Sequence, residues 1–191
     1  MSDYYMLECY ASPEQWEYTS VDGPPPSIEG VASWLSGRPF GVKVREPIEL
    51  SWDPDTRGPR KYLYDAGIPL YHRALCAALN EAGVDNLQTY RTAIVDPRSG
   101  EICKDYLAVN VVGLVAAADL GKSVYQAHSD PPLIDSDFDS LVIDPARASG
   151  LLMFRLAECV SGVVVHRRVK EALEARGGFG LTFVPPQAWI G

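Results

Sequence analysis

Proline placement limits this chain more than any other feature. Pro24-Pro25-Pro26, Pro39, Pro47, Pro54 and Pro59 all fall within the first 60 of 191 residues. A proline inside a helix removes a backbone hydrogen bond and clashes with the carbonyl one turn back, so long helices are excluded there. The same stretch holds Trp16, Trp34 and Trp52, three of the four tryptophans, and ten acids against five bases. Residues 1–66 therefore read as an irregular N-terminal wrap of short strands and loops over a core supplied by residues 67–191. Within the wrap, Ile28 to Leu35 has helical character, and Trp34 is expected to pack with Leu35 and Phe40.

Beyond Ile68 the periodicities sharpen. Pro69 suits the first turn of a helix. Tyr71, Leu75, Ala78, Leu79 and Ala82 follow at helical spacing, with Gly83 placed to stop it. Leu87 to Val95 reads as a strand, Asp96-Pro97-Arg98-Ser99-Gly100 as a turn, and Tyr106 to Val115 as the returning strand of an antiparallel hairpin. A polar loop spans about Ser129 to Ser140. Strands are expected at Leu141-Val142-Ile143, Leu151 to Leu156, Val163 to Val165 and Leu181 to Val184. A second helix, Arg167 to Arg176, ends at Gly177-Gly178. The expectation is one α+β domain over residues 1–191, with a mainly antiparallel sheet and two principal helices. One echo runs through it: His72-Arg73, Leu75, Ala78, Leu79, Gly83 and Leu87 return 94 positions later as His166-Arg167, Val169, Ala172, Leu173, Gly177 and Leu181. A helix, a glycine stop and a strand form common punctuation, so the echo alone does not require a duplication.

Charge and composition narrow the partners. Seventeen basic against 25 acidic residues leave a formal charge of −8, so nucleic acid is a poor partner and a basic protein a better one. No run approaches the roughly 18 apolar residues of a membrane span. The N-terminal residues lack a signal-peptide pattern, which implies a cytoplasmic protein. Cys9, Cys76, Cys103 and Cys159 lie far apart and form no CxxC, so they read as reduced thiols packed as small hydrophobes.

Motifs with chemical potential are few. Ala116 to Ser123 fits a relaxed phosphate-loop pattern through Gly121-Lys122-Ser123, with Leu141 to Asp144 as a conceivable magnesium-holding strand. A phosphate cradle needs several inward amides and a substantial following helix, and only about seven residues separate Ser123 from Pro131-Pro132. Asp130, Asp135, Asp137, Asp139 and Asp144 place five acids in 15 positions with no lysine or arginine among them. As a calcium loop from Asp135 this fails, because Ser140 stands at the glycine position and Ala146 at the glutamate position. As a negative contact surface, Asp130, Asp135, Asp137 and Asp139 are the candidate partner-binding residues. His72 and Cys76 share a helix face, but zinc needs two further ligands. No catalytic, metal or cofactor-binding set emerges, so no cofactor is expected. Trp189, after Pro185-Pro186, either folds back or serves as an exposed anchor.

Taken in order, several segments resemble a known family. They are Tyr4-Tyr5-Met6-Leu7-Glu8, Trp34 to Pro39, Glu81-Ala82-Gly83-Val84-Asp85-Asn86 and Tyr106 to Gly113. Leu141-Val142-Ile143-Asp144, Leu152 to Ala157 and Val169 to Ala175 complete the set. Together they are similar to bacterial immunity proteins first grouped around a Myxococcus protein, found in polymorphic-toxin and type VI secretion loci. His166 stands where that family often has a serine helix cap. The resemblance implies a cytoplasmic inhibitor that binds and neutralises a cognate toxin without catalysis. Rival expectations are a phosphate-loop-like enzyme using Lys122 and Ser123, a Cys–His enzyme, or a non-catalytic adaptor of a secretion system.

Overall fold

Two sheets, mostly antiparallel, carry the architecture. The computed structural model describes residues 3–9, 18–24, 26–128, 130 and 136–191. One sheet runs in the order β13 (Thr182–Val184), β1 (Tyr4–Glu8), β12 (Val163–His166), β11 (Met153–Leu156), β8 (Leu114–Val115). The other runs β2 (Ile48–Ser51), β5 (Leu87–Val95), β7 (Tyr106–Val111), β4 (Ile68–His72), β3 (Leu63–Ala66), with β6 (Ile102–Cys103) attached to β5. A separate ribbon pairs β9 (Val124–Gln126) with β10 (Asp137–Ser140). Helices α1 (Arg73–Glu81) and α2 (Arg167–Arg176) complete an α+β fold. Among the described residues, no helix is long and apolar enough to cross a membrane.

The hydrophobic pattern places three cores. Leu75, Ala78 and Leu79 of α1, with Val169 and Leu173 of α2, meet Val109, Val111, Met153, Val163 and Val165 in a central core between helices and sheets. A second core forms on the outer side of the first sheet, where Ala117, Phe138, Leu141 and Trp189 cover Met6, Phe154 and Val164. The third lies outside the other sheet, where Trp34, Val44 and Trp52 cover Leu70, Ile94 and Ala108.

Several expectations change at this level. Short strands form within residues 1–66 as expected, but β1 is an inner strand rather than part of a wrap: it pairs on both edges, with β12 and β13. Ile28 to Leu35 forms turns rather than a helical stretch. Trp34 is buried with its ring 5.0 Å from that of Phe40, as expected; Trp16 lies outside the described residues. Pro69 is in β4, opposite Asp65 of β3, and α1 starts only at Arg73. The amide of His72 donates to Tyr62 across β3, so alternation turns the nitrogen of Pro69 towards β7. There the ladder begins only at Leu70, and the missing N–H leaves no gap. The strand expected from Tyr106 to Val115 breaks after Val111: Gly113, at φ 135°, redirects the chain into β8, which pairs parallel to β11. Leu141-Val142-Ile143 makes only an isolated bridge, from Ile143 to Ala118. The hairpin of β5 and β7, α2 and its glycine stop fall where the periodicity put them.

Both helices are capped by histidine. Nδ1 of His72 accepts the Ala74 amide, and Nδ1 of His166 accepts the Arg168 amide, each at 3.1 Å. The imidazole thus does what serine does at many helix starts, satisfying an amide with no partner inside the helix. His166→Ala should lower stability by about 1 kcal/mol, and His166→Ser should recover most of it. Urea denaturation of the three proteins reads this directly; equal midpoints would mean the cap contributes nothing.

Candidate partner-binding surface

The predicted acidic segment folds onto the outer side of the first sheet. Phe138 is its anchor: the residue is 1% exposed, its ring 5.7 Å from Tyr125 and 6.3 Å from Trp189. Side chains alternate along a strand, so burying Phe138 turns Asp137 and Asp139 outward. The partner strand obeys the same rule. Tyr125 pairs with Phe138 on the inner side, and Val124 and Gln126 point out.

A third segment joins the ribbon. The Phe138 amide donates to the Gly191 carbonyl at 2.9 Å, and the Gly191 amide returns a bond at 3.2 Å. That reciprocal pair is an antiparallel contact, which sets Ile190 across from Asp139 on the outward face. Trp189 folds back rather than standing exposed: it is buried, and its indole N–H donates to Glu8 of β1 at 2.6 Å. The result is a small three-segment face on which Asp139, at a bulge in β10, lies between Val124 and Ile190, and Asp137 stands opposite Gln126 on the same outward side. Val124 and Ile190 are the most exposed large hydrophobic residues described, at 57% and 80%. Sequence reasoning missed both, although the alternation Val124-Tyr125-Gln126 carried the signal for the first.

The four predicted site residues fare differently. Asp137 and Asp139 share this face. Asp137 pairs with Nε2 of His128 at 2.9 Å; both groups are exposed, so the pair contributes little to stability. Asp130 is exposed. Asp135 lies outside the described residues. Asp144, the fifth acid of the run, is tied to Arg147 at 3.2 Å.

The rival motifs are occupied otherwise. Lys122 is paired to Asp119 at 2.6 Å, and that ammonium holds the Asp119 carboxyl below its ordinary range. The Ser123 hydroxyl donates to the Asp119 carbonyl and accepts the Val142 amide. The segment is a turn leading into β9, not the start of a helix. Nδ1 of His72 is committed to its cap, and burial pushes the Cys76 thiol up to about 11, so it stays protonated at neutral pH. Cys103 and Cys159 are buried, whereas Cys9 and Cys76 are half-buried. Among the described residues, no cluster of three or more His, Cys, Asp or Glu could hold a metal ion.

Beneath the surface lies a buried carboxyl. Glu158 is 2% exposed; one oxygen accepts the Ala118 amide at 3.3 Å, and Oε2 has no hydrogen-bond partner among the described residues. Burial raises its pKa. A carboxyl whose folded pKa exceeds its unfolded value supports the fold at low pH, and that support is lost as pH rises through the folded value. Glu158→Gln, permanently neutral, should therefore raise stability at pH 7–8 and leave it nearly unchanged near pH 4. Thermal melts across that range test the sign; a variant less stable at pH 8 would show that the ionised form is the one the fold prefers.

No protein-family model matches this chain, and no curated protein does.

Proposed function

We propose that this protein is a cytoplasmic immunity protein that binds a cognate secreted toxin and blocks it stoichiometrically, making and breaking no bond itself. The observation that carries this reading is the outward face of the β9–β10 ribbon. Asp139 there stands between Val124 and Ile190, the two most exposed large apolar side chains among the described residues, and Asp137 faces outward beside it, opposite Gln126. Singly exposed apolar residues need no explanation; the apolar–acidic pairing is what a protein partner can use. The fitting partner presents an apolar contact ringed by lysine or arginine, consistent with the overall charge of −8. Occlusion follows from bulk, since a domain of this size seated on a toxin covers any cleft nearby.

The experiment is co-expression with the product of the neighbouring gene, tested as the cognate toxin. Growth should be rescued and a complex should co-purify. Asp137→Lys with Asp139→Lys should weaken binding at least tenfold and flatten its dependence on salt, with folding unchanged. Binding and salt dependence unaltered after reversal of Asp130, Asp135, Asp137 and Asp139 together would remove this surface from consideration. Complex formation without rescue would instead favour an adaptor. Nucleotide-dependent thermal stabilisation lost in Lys122→Ala would favour an enzyme.

A further inference from the structure

The echo of 94 positions extends into sheet pairing. Tyr4 of β1 stands opposite His166, and Tyr106 of β7 stands opposite His72. In both pairs the rings meet edge to face at 5.3 Å. The Arg167 amide donates to Asp3 at 2.7 Å, and the Arg73 amide to Asp105 at 2.8 Å. On the other edge, Glu8, Leu7 and Met6 face Thr182, Phe183 and Val184, while Asn110, Val109 and Ala108 face Gln88, Thr89 and Tyr90. Every one of these pairs maps onto its counterpart by the same shifts, 102 positions for β1 to β7 and 94 for β5 to β13. The β3–β4 and β11–β12 hairpins match as well, Leu63 with Tyr71 and Met153 with Val165. The central core is built from such counterparts: Leu7 and Val109, Leu63 and Met153, Leu75 and Val169, Leu79 and Leu173.

We infer that the chain is a tandem duplication of one β–β–β–α–β unit whose two copies have exchanged their first strands, with Asp65 and Arg155 as the same position of each copy meeting on the pseudo-two-fold axis. β1 begins the first copy but sits in the sheet of the second, and β7 begins the second but sits in the sheet of the first. In β3, Asp65 opposes Pro69; in β11, Arg155 opposes Val163, which is 94 positions beyond Pro69. A residue that touches its own counterpart lies on the axis relating them, and these two approach to 3.8 Å. Two identical units would set like charges against each other there. Divergence to aspartate and arginine makes the two copies attract each other, and it penalises either copy pairing with its own kind. What differs most between the copies is the stretch between first strand and hairpin, residues 9–62 and 112–152, and the second of these carries the β9–β10 face.

Two measurements on the full chain test this. A protease site placed in the turn at Pro97 to Gly100 is cut after folding. The nicked protein should elute as one species and melt in one transition, because each half holds an inner strand of the other's sheet. Halves that separate in native buffer would refute the exchange. Independently, Asp65→Arg and Arg155→Asp should each lower the melting temperature by about 10 °C, and the double exchange should regain at least half of that. A double variant melting no higher than the worse single would refute the shared axis position.

Discussion

Replacing Phe138 with alanine is expected to cost about 3–5 kcal/mol of folding stability and to abolish the proposed partner binding with it. The size follows from the surroundings. The ring is almost wholly enclosed, bordered by Tyr125 and Trp189, and the backbone on either side of it is bonded to Gly191. Truncation removes the aromatic surface and leaves a void that two large neighbouring rings cannot refill without moving. Loss of the anchor also frees the ribbon to twist, so Asp137 and Asp139 no longer share a fixed plane with Val124 and Ile190. Two comparisons separate these effects. Phe138→Leu retains much of the buried volume and should lose about 1–2 kcal/mol while keeping binding. Asp139→Asn, on the outer side of the same strand, should change stability by less than about 0.5 kcal/mol yet weaken binding. Urea midpoints with a constant slope give the first quantity, and titration calorimetry with the toxin partner proposed above gives the second. A loss below about 1 kcal/mol for Phe138→Ala would mean that the ribbon is not an integral part of the outer core.

The acids of this surface were legible in the sequence for a physical reason: a run of aspartate with no basic neighbour has nowhere to go but outward. Its geometry was less legible. Asp-Phe-Asp reads equally as a loop or as a strand, and only packing of Phe138 under Trp189, 51 positions away, decides between them. Long-range pairing also explains the other surprises. Tyr4 to Glu8 is too short to announce a strand, and its partners come from the far end of the chain. Pro69 looked like a helix start because the helical spacing of Tyr71 and Leu75 overlaps the end of β4; Tyr71 serves as a strand residue, and the helix begins two positions later. Gly113 was the visible warning that the apolar run from Tyr106 could not remain one strand. By contrast, α2 needs only local information, its apolar stripe and its paired glycines, and its bounds agree with the periodicity.

Arg155→Met should destabilise the protein by about 2–4 kcal/mol, and the larger part of that loss should disappear when Asp65 is also made apolar. The Arg155 side chain is wholly buried. It donates to the Val160 carbonyl at 2.8 Å, whereas Nε and Nη2 make no hydrogen bond among the described residues. Asp65 retains 23% side-chain exposure, which softens the penalty below that of a fully enclosed pair. Burial raises the Asp65 pKa even with the guanidinium pulling the other way, so desolvation outweighs the attraction at this carboxylate. The pair is thus costly to break without being a net source of stability: removing the cation strands a desolvated anion, while Asp65→Leu with Arg155→Met removes both burdens. The sign of the pH dependence follows from the raised carboxyl. Support from the protonated form is present at low pH and declines as pH rises through the folded value, so Arg155→Met should be least harmful in acid and most harmful at pH 7–8. A double-mutant cycle at pH 5 and pH 8 measures the coupling, and a double variant as unstable as the sum of the singles would show that the two charges do not act on one another.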